Sequence, residues 1–137
     1  MWLLAASVFV AGTVASFTDW LFMGVLFHDR YNNHPEVWRS GVREGKERGA
    51  IVWSAMLGYL SAGAIVALCA ITGASQIGTA LLLAGLVWIA GVLPVTIANG
   101  LFIKFDNALT LSHSLGYLIR LLIAAACAAF ALKYGSA

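Results

Sequence analysis

The feature that most limits what this chain can fold into is a set of four long apolar stretches. They run from about Trp2 to Phe27, Ala50 to Thr72, Ile77 to Ile103 and Thr110 to Tyr134, each roughly 23–27 residues. As helices rising 1.5 Å per residue, each is long enough to cross about 30 Å of hydrocarbon with some tilt. Helices are required, because lipid offers the backbone no hydrogen-bond partners and four isolated spans cannot close a barrel. Composition agrees: of 137 residues, 61% are hydrophobic and 10% charged, too little polar surface for a soluble domain and too apolar for disorder. A net charge of +2 carried by 8 basic residues argues against nucleic acid as a partner. The expected fold is all-α: a single integral membrane domain over residues 1–137, built as an antiparallel four-helix transmembrane bundle.

The connections differ in character. Gly73-Ala74-Ser75-Gln76 is a tight uncharged turn that makes spans two and three a hairpin, and Lys104-Phe105-Asp106-Asn107 is a second short link. Residues 28–49 form the one substantial polar loop. Within it Pro35 suits the first turn of a helix. Val37, Trp38 and Val42 give that helix a weak apolar edge, and Gly41, Gly45 and Gly49 weaken it. A short amphipathic interfacial helix between spans one and two is therefore expected.

Basic residues set the orientation. Arg30, Arg39, Arg43, Lys46, Arg48 and Lys104 fall on one side, and Lys133 alone on the other. Six against one predicts a cytoplasmic 28–49 loop with both termini outside, in a bacterial-type inner (plasma) membrane. The start of the chain lacks the basic region of a signal peptide, and its apolar stretch is too long for one, so the first span is expected to be retained. Trp20, Tyr31, Trp38 and Trp53 fit an aromatic belt at the interface. Cys69 and Cys127 lie in apolar runs without a CxxC pattern and read as small buried hydrophobes. His28 and His34 have no metal-binding spacing, so neither metal nor cofactor is expected.

Positions that break the apolar pattern mark the candidate site. Asp19 lies about 12 Å along its helix from Phe27, and Arg120 about 15 Å from Thr110, so both reach a similar depth from one membrane face. An ionisable group in hydrocarbon needs a partner, and a carboxylate–guanidinium pair supplies one for each. His113, Tyr117 and Arg120 share a helix face, Thr96 and Asn99 lie three apart near the end of span three, and Tyr59 sits in span two. Asp19, Arg120, Tyr117, His113, Asn99, Thr96 and Tyr59 form the expected polar cluster, with Tyr117 and Asn99 completing the hydrogen bonds of the ion pair. The other half of the bundle is read as almost purely apolar. Gly58/Ala62 and Gly63/Ala67, with Gly78, Gly85 and Gly91, suggest close helix contact. Pro94 should disturb its helix near Ala90.

The segment Asp19-Trp20-Leu21-Phe22-Met23-Gly24-Val25-Leu26-Phe27, with Leu93-Pro94, Asn99, Leu101-Phe102 and the stretch from Leu111 to Gly116-Tyr117, resembles a family of small bacterial integral membrane proteins known only as a domain of unknown function. That resemblance implies four membrane helices and carries no activity.

Three function classes follow. The chain has no nucleophile–base pair, phosphate loop or metal cluster, so an enzyme acting on a lipid or isoprenoid would depend on His113 or Asp19 as acid–base group. A small-solute or ion transporter would need an oligomer, because four helices leave little internal room. A non-enzymatic binding or accessory protein fits best, because the far half offers no polar path. Its expected partners are the lipid bilayer and a homo-oligomer or larger membrane complex.

Overall fold

The computed structural model describes residues 2–33, 48–102 and 106–135. Helix α1 (Trp2–Leu21) continues through a π-helical turn, Phe22–Leu26, into the short α2 (His28–Asn33). Helix α3 (Arg48–Thr72) leads to α4 (Ile77–Val87), a second π-helical turn (Trp88–Val92), α5 (Leu93–Phe102) and finally α6 (Asn107–Tyr134). No strand occurs among the described residues. Four helical units are long and apolar enough to cross a membrane: Trp2–Leu26, Arg48–Thr72, Ile77–Phe102 and Asn107–Tyr134, here the first to fourth spans. The interfacial helix expected around Pro35 lies outside the described residues.

Local chemistry explains the boundaries. The second span ends on Gly73, whose φ of +66° is the left-handed conformation that glycine adopts without steric cost. Ala74 N–H then donates to Cys69 O at 2.9 Å and Gly73 N–H to Ala70 O at 3.3 Å, satisfying the last carbonyls of α3. The fourth span starts at Asn107, three residues before the apolar run, because the Asp106 side chain accepts from Ala108 N–H at 3.2 Å and caps the helix. The second span likewise opens at Arg48, two residues before its apolar run begins.

Pro94 acts through the turn before it. Proline cannot donate to Ala90 O and its ring crowds that carbonyl. The helix widens there, with Leu93 N–H reaching back five residues to Trp88 O. The first span widens in the same way, Phe27 N–H donating to Phe22 O at 3.0 Å.

Small side chains build the core. Ala11, Ala62, Ala84, Ala124 and Ala128 are almost fully buried, with Ile65, Val66 and Leu121 filling the spaces between helices. The fourth span is the central helix, 44% of its most apolar stretch being buried against 11% for the third. First, second and fourth spans pack on one another, and the third leans chiefly on the fourth. The Tyr59 ring packs against Gly12, where a Cβ would overlap it, and a Cβ on Gly58 would sit 3.5 Å from Ala15 Cβ. Gly58 and Ala62 thus face the interior as expected, but Ala67 is exposed. Gly78, Gly85 and Gly91 also depart from expectation. A Cβ on any of them would meet nothing within 4 Å, because these glycines lie off the face that the third span packs on the fourth, where Ala80 and Ala84 are buried.

Candidate functional site

Asp19 on α1 and Arg120 on α6 are in contact: Arg120 Nη2 donates to Asp19 Oδ1. The other carboxylate oxygen accepts from Ser54 Oγ at 3.3 Å, so three spans meet at one side chain. Arg120 is 3% exposed and Asp19 24%, which makes the guanidinium the more deeply buried partner. Tyr117, one turn earlier on α6, lays its ring 4.5 Å from the guanidinium carbon. This corrects the expectation that its hydroxyl would complete the ion pair. The ring face contributes a cation–π contact, and the hydroxyl is left for another use. Arg120 Nε, Ser112 Oγ and Ser114 Oγ are buried without a hydrogen-bond partner among the described residues.

Beside the pair, the third and fourth spans enclose a groove of about 620 Å³. Val87, Gly91, Val92 and Val95 line it from the third span, followed along the same helix by Thr96 and Asn99. Thr110, His113 and Tyr117 face them from the fourth. Two local contacts join the walls of the groove. Trp88 Nε1 donates to Ser114 O at 2.8 Å, pinning the widened turn to the fourth span. Near the other end a Cβ on Gly100 would lie 2.8 Å from Thr110 Oγ1, so the helices close together there. Thr96 donates to Val92 O at 2.9 Å and Leu93 O at 3.0 Å, directly after the turn that Pro94 disturbs.

The expected cluster therefore divides. Asp19, Arg120 and Tyr117 form the ionic part, and Tyr117, His113, Asn99 and Thr96 the groove. Asn99 lines the groove and does not complete the hydrogen bonds of the ion pair. Tyr59 departs from the cluster: its hydroxyl pairs with Thr13 Oγ1 at 2.9 Å, six residues, or about 9 Å, along α1 from Asp19. The half of the bundle read as almost purely apolar carries a few hydroxyls that serve the backbone. Ser7 Oγ donates to Leu3 O at 2.8 Å and to Cys127 O at 3.1 Å, and Ser61 Oγ to Gly58 O at 3.0 Å. These hydroxyls bond to their own or adjacent backbones, because in an apolar interior an unpaired one is costly. Ser54 is missing from the expected cluster, because an uncharged serine in span two does not demand a partner as Asp19 does. Trp88 gave no signal, since an indole in an apolar run looks like packing. Trp20 and Trp53 are exposed, as belt residues would be.

No family model matches this sequence, and neither do the curated proteins or the solved structures with which it was compared.

Proposed function

We propose that the chain is a multi-pass integral membrane protein that binds a small membrane-soluble ligand without chemically altering it. The observation that carries this reading is the groove, where five polar side chains share a cleft with the apolar positions Val87, Gly91, Val92 and Val95. Its size falls within the range of about 300–1,000 Å³ usual for small-molecule sites. A purely accessory subunit would gain nothing from such a cleft between two of its own helices.

In this reading the four spans form an antiparallel bundle. Contact order supports it: Ser7 meets Cys127, Asp19 meets Arg120 and Phe22 meets Gly116. Val8 with Gly63, Gly12 with Tyr59 and Asp19 with Ser54 run the same way, as do Trp88 with Ser114 and Gly100 with Thr110. The basic residues orient the 28–49 loop to the cytoplasm and both termini outward. Asp19 and Arg120 then form an ion pair within the membrane that fixes the register of the first and fourth spans. Lipid covers the outer face of the third span.

The Asp19 carboxylate is held by Arg120 and Ser54, which removes it as a proton acceptor for a bound substrate and leaves His113 as the one acid–base group an enzymatic reading would need from the expected cluster.

Native mass spectrometry of the chain released from nanodiscs tests the reading. A ligand adduct should survive on the native protein and be lost from Val95→Trp, where an indole fills the groove. Equal adducts on both proteins, or none on either, would contradict it.

A further inference from the structure

A second cavity, of about 580 Å³, lies at the other end of the third and fourth spans, where the turn at 73–76 meets the last turns of the fourth span. Ser75, Gln76 and Ile77 form one wall. The other repeats at helical spacing along the fourth span, with Ala126, Ala129 and Phe130 followed by Lys133 and Tyr134. Polarity here follows depth. Ser75 and Gln76 belong to the link outside the spans, and Lys133 and Tyr134 are the last two residues of the fourth. Ala126 lies seven residues, or about 10 Å, deeper than Lys133.

The ammonium of Lys133 stands 5.3 Å from the centre of the Tyr134 ring, and that ring lies 4.7 Å from the Phe130 ring, centroid to centroid. This aromatic pair keeps the cation at the rim of the cavity. Resting on the membrane placement just proposed, but not on the groove, we propose that the cavity is a site for an anionic glycerophospholipid of the leaflet at this end. Its phosphate meets Lys133, and one acyl chain runs down past Phe130 and Ala126.

Charge selects the head. The sequence carries no Asp or Glu from 49 to 105 or from 107 to 137, so neither wall supplies a carboxylate side chain to the ammonium. The Ser75 hydroxyl and the Gln76 amide can donate to phosphate oxygens beside it. The start of α4 adds to the ammonium: Gln76 makes no side-chain cap, and the first N–H groups of a helix have no intrahelical partners. A choline head would bring its own cation close to Lys133 and lose part of this attraction, whereas a glycerol head would not. Apolar surface selects a lipid over free phosphate. A hydrated inorganic ion gains nothing from Ile77, Ala126, Ala129 and Phe130, but an acyl chain packs against them.

Photo-crosslinking in nanodiscs tests the site with phosphatidylglycerol and phosphatidylcholine probes that share one diazirine-bearing acyl chain, scored on peptides from the end of the fourth span. The phosphatidylglycerol probe should label them about three- to fivefold more strongly, the range of one lysine acting on an anionic lipid. Lys133→Gln should bring the two probes level, and Lys133→Arg should keep the difference. Lys133 is exposed, so both variants should keep the fold. Arg48→Gln, which removes a base at the far end of the second span, should leave the preference unchanged. Equal labelling by both probes in the native protein, or a preference that survives Lys133→Gln, would overturn the site and leave the membrane placement and the groove standing. Inorganic phosphate should compete no better than chloride at the same ionic strength. Stronger competition would overturn the lipid assignment in favour of a free phosphate. Labelling of no span by either probe would overturn the membrane placement itself.

Discussion

Asp19 and Arg120 do not contribute symmetrically to the fold. Arg120 is almost completely buried, with its Nε lacking a hydrogen-bond partner among the described residues, and Asp19 retains about a quarter of its exposure. Asp19→Asn leaves a buried cation uncompensated, for which about 3–5 kcal/mol is the usual cost. Arg120→Gln leaves a carboxylate that still reaches solvent and Ser54, and should cost clearly less. The double variant should recover most of the stability lost by Asp19→Asn. Denaturant unfolding of the three variants in one detergent measures this, and a double variant less stable than Asp19→Asn would contradict it. The pair was legible in the sequence because a charge in an apolar run has few places to go, and depth arithmetic brought the two together. Tyr59 was misread for the opposite reason: a tyrosine satisfies its hydroxyl wherever a threonine lies in reach, and depth alone does not identify which one.

Helices approach one another where a side chain is missing, and Gly12 is the clearest case. The space a Cβ would need is taken by the Tyr59 ring, and Tyr59 is held there by Thr13. Gly12→Leu should destabilise the first–second span contact by about 1–3 kcal/mol, the usual cost of overpacking. Gly78→Leu should do almost nothing, since a Cβ there meets open space. Thermal unfolding of the two variants in detergent checks the contrast, and equal losses would refute it. The lengths of the elements could be read from hydropathy, which reports what lies in lipid. The start of the fourth span could not, because Asp106 sets it through a single hydrogen bond. The two widened turns were hidden as well. In a run that is apolar all round, a one-residue change of phase leaves no mark on the pattern, and only Pro94 indicated where the third span would yield.

At the scale of the molecule, three spans pack together and the third leans on the fourth, and this arrangement leaves the groove. Composition foretold a bundle but not its asymmetry. All four spans are similarly apolar, and the sequence does not mark which of them will be central beyond the alanine-rich end of the fourth. The orientation proposed from the basic residues can be tested directly. With an impermeant thiol reagent on intact cells, Ser136→Cys should be modified and Ser40→Cys spared, and the reverse would invert the orientation. The central claim is that the groove is a binding site, and a structure determined in lipid nanodiscs measures it most directly. The account predicts one continuous density in the groove between the third and fourth spans, in contact with Asn99, Thr110 and Tyr117. A groove closed by its own side chains, or holding no density distinct from the surrounding lipid, would contradict it.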